Sequence, residues 1–95
     1  MSDPLAKGRV ARAIRLKLET AFAPERLVVV DESRLHAGHA GAREGGESHF
    51  RVEIVSSAFA GLTRLDRQRR INGVLAEELA GPVHALSLSA RAPGE

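Results

Sequence analysis

The 95-residue chain contains no cysteine, tryptophan or tyrosine, and its aromatic complement is limited to Phe22, Phe50 and Phe59. Without thiols it can form no disulfide, offer no thiolate nucleophile and build no cysteine-ligated metal site from its own residues. Any soft-metal chemistry must borrow sulfur from another molecule. The scarcity of rings removes most of the stacking groups with which single-strand nucleic-acid binders hold bases. Long apolar runs are missing too. The longest uncharged apolar stretch, Leu27 to Val30, falls far short of the roughly 20 residues that cross a bilayer, and Met1-Ser2-Asp3-Pro4 lacks the basic and apolar regions of a secretory leader. These absences predict a soluble cytoplasmic protein with no membrane association.

Fourteen Lys and Arg residues against twelve Asp and Glu give a formal charge of +2, which permits nucleic acid as a partner without demanding it. The length suits one modest core. We therefore expect a single domain over residues 1–95, ordered over about 4–91, with a frayed tail from Arg91 to Glu95.

Ser2 or Asp3 can cap a helix with Pro4 at its first position, and Val10, Ile14, Leu18 and Phe22 then recur at helical spacing. This predicts helix 1 from Pro4 to about Ala21. Pro24 stops it, and the β-branched run Leu27 to Val30 reads as strand 1, ending near Asp31. A Gly-rich loop follows from Ser33 to Gly46. In strand 2, Phe50, Val52 and Ile54 alternate with His49, Arg51 and Glu53, as in a sheet with one buried and one wet face. Thr63 can cap helix 2, whose apolar stripe is Ile71, Val74, Leu75 and Leu79, and Gly81-Pro82 ends it. His84, Leu86 and Leu88 form the apolar side of strand 3. The expected fold is α+β: a two-layer α-β-β-α-β arrangement with a three-stranded mixed sheet and both helices on one face. Strands 1 and 2 pair antiparallel, and strands 2 and 3 pair parallel through a right-handed crossover.

This topology brings the end of strand 1, the start of strand 2 and the start of strand 3 to one end of the sheet. The chain's four histidines, His36, His39, His49 and His84, lie at or near that end. Neutral imidazole is the commonest protein metal ligand, so a loop histidine and a strand-end histidine could form half a coordination shell. Plainer roles compete: His84 as a hydrogen-bonded core residue, His49 as a solvated or cross-strand residue on the wet face, and His36 and His39 as solvated loop residues. A second candidate site is Arg64, Arg67, Arg69 and Arg70 at the start of helix 2, able to contact phosphate or to lie as a solvated face over the core. Gly38-His39-Ala40-Gly41 matches a G-x-x-G phosphate clamp but lies in a hairpin loop, where the match is weak. No catalytic constellation emerges. Glu77 and Glu78 are adjacent and diverge on a helix, and Ser56-Ser57 has no nucleophile-elbow setting.

Asp31-Glu32-Ser33, His36, Gly46-Glu47-Ser48-His49-Phe50, Ile54-Val55-Ser56, Phe59-x-Gly61, Arg67-x-Arg69, Leu75-x-x-Glu78-Leu79 and Val83-His84-Ala85-Leu86 occur in this order. Together they closely resemble the BolA family, over nearly the whole chain. The resemblance implies a fold like the type II KH domain. It also implies a non-enzymatic protein that pairs with a monothiol glutaredoxin and shares a [2Fe–2S] cluster held with glutathione, in iron–sulfur trafficking or iron regulation. The cluster is expected only in that complex, and the isolated chain is expected as a monomer or weak dimer. The family's C-terminal histidine ligand maps onto His84 and its loop ligand onto His36, with His39 as the alternative. Histidine ligation of one iron has precedent in Rieske centres. A second implication is a DNA-binding transcriptional regulator of stress response and cell shape, acting through the helix 2 region. The sequence departs from the family where Arg67-Gln68-Arg69 replaces Arg-His-Arg.

Overall fold

The computed structural model describes residues 8–33 and 47–95. Its elements are α1 (Arg9–Phe22), β1 (Arg26–Asp31), β2 (His49–Val55), a 3-10 turn (Ser57–Phe59), α2 (Arg64–Val74), α3 (Ala76–Ala80) and β3 (Ala85–Arg91). β2 is central: it pairs antiparallel with β1, from Arg26 opposite Val55 to Asp31 opposite Phe50. It pairs parallel with β3, from His49 opposite Ala85 to Val55 opposite Arg91. The expected strand order and directions are therefore found.

Ile14, Leu18 and Phe22 of α1 pack with Phe50, Val52 and Ile54 of β2, with Phe59, and with Ile71 and Leu75 of the α2–α3 segment. The helical spacing on α1 and the alternation on β2 meet in one core because each buries a single apolar side. Phe22 and Phe59 approach with ring centroids 4.9 Å apart.

Four details differ from the sequence reading. Helix α1 starts at Arg9, because Gly8 is left-handed with φ 76 and breaks any continuous helix from Pro4. Pro4 itself, with its candidate caps Ser2 and Asp3, lies outside the described residues. The N–H groups of Val10 and Ala11 are bound instead by the Glu47 carboxylate, at 3.0 and 3.1 Å. An acid close in space supplies the cap that Gly8 cannot.

The expected helix 2 is two helices, because Leu75 (φ −99, ψ 20) leaves helical geometry between them while keeping its N–H on the Ile71 carbonyl at 3.0 Å. Its N-cap is Thr63, whose hydroxyl accepts the Asp66 N–H at 3.1 Å. Glu77 and Glu78 converge on one cation. Lys17 lies 3.6 Å from Glu77 and 2.8 Å from the largely buried Glu78, clamping α1 to α3. Hydrogen bonding to Glu78 raises the Lys17 pKa against the opposing effect of desolvation.

The tail is pinned rather than frayed. Ala92 is buried, and Glu95 bonds back to Arg67. Among the described residues, no helix is long and apolar enough to cross a membrane.

Candidate functional site

The end of the sheet where β1 stops and β2 and β3 begin is organised by two buried serines, Ser33 and Ser48. Asp31 accepts the Ser33 N–H at 2.9 Å and the Ser33 hydroxyl at 2.5 Å through one oxygen, and the Glu47 N–H at 3.0 Å through the other. The Ser33 oxygen in turn accepts the backbone N–H of Ser48 at 2.9 Å and of His49 at 3.2 Å. Aspartate and serine side chains thus satisfy backbone donors that the β1–β2 ladder leaves open. Glu47 sits at φ 62, a left-handed conformation held from both sides by these bonds and by its grip on α1.

Ser48 links this network to two histidines. Its hydroxyl and His49 Nδ1 share a hydrogen bond of 2.9 Å. Its carbonyl accepts the His84 N–H at 2.7 Å and the Ala85 N–H at 3.3 Å. The His49 and His84 rings lie nearly parallel, 18° apart, with centroids separated by 6.3 Å.

The two histidines exchange their expected environments. His49 is 9% exposed rather than solvated, with its ring hydrogen-bonded to the Ser48 hydroxyl and lying beside the His84 ring. His84 is exposed rather than part of the core. It sits just before β3 begins, and the half-buried Leu86 and Leu88 pack against the core without it. An exposed imidazole on an anchored backbone can serve as a terminal ligand or hydrogen-bonding group toward a partner.

His36, His39 and the G-x-x-G segment lie outside the described residues. Among the described residues no group of three or more His, Asp or Glu side chains is placed to hold a metal. The donor set that can be read is one exposed imidazole, His84, with a second, His49, behind it. That chemistry fits a partial shell for a metal centre completed by a partner's thiolates.

The arginine cluster divides. Arg64, Arg69 and Arg70 are exposed, as a phosphate-contacting surface requires. Arg67 is a structural residue: Nε donates to the Leu62 carbonyl at 3.1 Å, Nη1 to the Ala90 carbonyl at 3.2 Å, and the guanidinium takes Glu95 bidentately at 2.5 and 2.7 Å. Its side chain is 11% exposed. It therefore stitches α2 to β3 and leaves the candidate phosphate surface.

Ser56 is also structural. Its hydroxyl donates to the Phe22 carbonyl at 2.6 Å, covering the end of α1, and accepts the Ala58 N–H at 3.1 Å.

The sequence reading missed the buried serines, the Glu47 cap and the Arg67–Glu95 closure. The spacing of Asp31 and Ser33 was a usable turn signal. The cap and the closure join residues far apart in the chain and leave no local pattern.

Three strands packed on helices, with an accessible histidine at the sheet end, define a small α+β module. A family model described as BolA-like protein matches residues 18–95. BolA-like protein 1 of Pongo abelii is 54% identical over 90 residues, covering 95% of this chain and 63% of that protein. An uncharacterized protein in cobS 5'region of Sinorhizobium sp is 52% identical over 87 residues, covering 90% of this chain and 94% of that one. The BolA domain of SufE1 from Arabidopsis thaliana superposes with a TM-score of 0.78 at 45% identity, covering 90% of this chain and 92% of that domain. The chain belongs to the BolA-like family. It spans 63% of the length of the Pongo abelii and Homo sapiens BolA-like proteins 1.

Proposed function

We propose that this chain is a non-enzymatic cytoplasmic binding protein that pairs with a monothiol glutaredoxin and holds with it a [2Fe–2S] cluster, in iron–sulfur trafficking or iron regulation. The observation that carries the reading is His84: an exposed imidazole, fixed through its backbone to Ser48, in a chain that has no cysteine. His84 acts as one ligand, and His36, or His39 in its place, acts as the second from the segment joining β1 to β2. The glutaredoxin and its glutathione supply the thiolates. When bound, the cluster provides the transferable or iron-sensing centre. The protein's own part is to present imidazole at low conformational cost, since the Ser33–Ser48 network has already ordered the sheet end.

The test is anaerobic coexpression with a monothiol glutaredoxin, followed by visible absorption and circular dichroism of the purified complex. A mixed cluster is expected, and His84→Ala should change its spectrum. An unchanged spectrum and complex would overturn the ligand assignment.

A second reading, a DNA-binding regulator, is favoured by the exposure of Arg64, Arg69 and Arg70. Duplex affinity should then fall with salt, and each lost phosphate contact should reduce the log–log slope by about 0.9. Binding insensitive to salt and sequence would sink it.

A further inference from the structure

At the opposite end of β3 from His84, about 20 Å away along the strand, the seam between α2 and β3 holds an open-sided cavity of about 460 Å³. Its walls include Leu62, Arg64, Arg67, Gln68, Ala90 and Arg91, and none of its lining residues is acidic. Arg67 is pre-organised there: two backbone carbonyls hold its guanidinium from behind, leaving its forked face to one acid, Glu95. Glu95 reaches it through a turn in which Gly94 is left-handed at φ 86. The Glu95 N–H donates to the Ala92 carbonyl at 3.2 Å, and its side chain accepts the Ala92 N–H at 2.9 Å. Arg91 also acts on this carboxylate through its charge. Arg64 and Arg91 are exposed and form no ion pair among the described residues. Three guanidinium groups therefore line a cavity at whose edge the Glu95 side chain closes on Arg67.

We propose that this cavity is a carboxylate-binding site for an acidic segment of a partner protein, with Glu95 as a competitor tethered within the same chain. The bidentate Arg67–Glu95 geometry is the contact that an incoming glutamate or aspartate side chain would reproduce. Leu62, Leu88 and Ala90 provide the apolar wall against which a peptide side-chain stem packs. The site favours a peptide over a duplex, because Arg67, backed by two carbonyls, already takes a side-chain carboxylate bidentately. Glu95 remains on the surface, with 43% of its side chain exposed, so displacing it costs little burial. The site is separate from the histidine end and stands independently of the cluster reading.

The test is a calorimetric titration of the full chain with a capped tetraglutamate peptide, using capped tetraglutamine, inorganic phosphate and a short DNA duplex as comparisons. Glu95→Gln, which keeps the shape and removes the charge, should tighten tetraglutamate binding about fivefold. Adding Arg91→Gln to that background should abolish the gain while leaving Arg67 in its structural role. Tetraglutamine should not bind, and His84→Ala should leave the titration unchanged. The proposal is overturned if Glu95→Gln leaves peptide affinity where it was. It is also overturned if phosphate or the duplex gains as much as the peptide, which would make the cavity a phosphate site.

Discussion

At the end of the sheet that carries His84, the buried Ser33 hydroxyl binds backbone groups of Ser48 and His49 and the buried Ser48 hydroxyl binds the His49 ring, whereas at the other end a half-exposed carboxylate, Glu95, closes on Arg67. Both contacts join segments distant in sequence. They differ in what happens when they are broken. Buried donors deprived of an acceptor have no water to turn to, so the serine end is rigid and intolerant. The Arg67–Glu95 pair faces solvent on one side, so it can open and exchange its carboxylate at small cost. A ligand presented from the first end is held in a fixed place, and a contact made at the second is exchangeable.

The largest expected effect tests the rigid end. Ser33→Ala removes the acceptor of the Ser48 and His49 N–H groups and the donor to Asp31, and should cost about 2–3 kcal/mol in urea unfolding. A loss below about half that would show that water replaces the hydroxyl and that the two ends are more alike than argued. Next, Glu47→Ala leaves the first turn of α1 uncapped and should cost about 1 kcal/mol, with helix content by circular dichroism falling at lower temperature.

The exchangeable end should show its character in pH. Hydrogen bonding to Arg67, then to the Ala92 N–H, holds the Glu95 pKa down to about 2 from an ordinary 4.5. A depressed carboxylate stabilises the fold fully above its unfolded pKa and loses that stabilisation as pH falls through its folded one. The difference in Tm between the parent chain and Glu95→Gln should therefore be full at neutral pH and shrink between about 4.5 and about 2. It should be modest and reduced by salt, because Glu95 is partly exposed. A salt-insensitive difference would contradict the exchangeable character assigned to that end.

The smallest effect on stability belongs to His84→Ala, within about 0.5 kcal/mol, since its side chain is exposed and its backbone bond to Ser48 survives. In the proposed glutaredoxin complex the same substitution should change the cluster spectrum. That separation of stability from binding would place His84 at the surface end of a rigid support.

The helix stripe of Ile14, Leu18 and Phe22 and the alternation of Phe50, Val52 and Ile54 are local periodicities, so the three strands, their directions and the apolar face could be read directly from the sequence, but not the start of α1 or the break at Leu75. The gathering of strand ends near His49 and His84 followed from that topology. The environments of these two histidines did not. Alternation says which side of a strand a residue occupies, but burial at a strand's first residue depends on what the rest of the chain lays over it.

Composition and periodicity by themselves determined a thiol-free chain with one core, a mixed three-stranded sheet and a sheet end that carries His49 and His84. Only the tertiary structure decided that His84 is presented while His49 is covered, that Glu47 caps a helix 36 and 37 positions away, and that Arg67 serves the fold rather than the surface. Periodicity is a property of neighbours along the chain, while exposure, capping by a distant acid and ion pairing depend on segments that meet only once the core has formed.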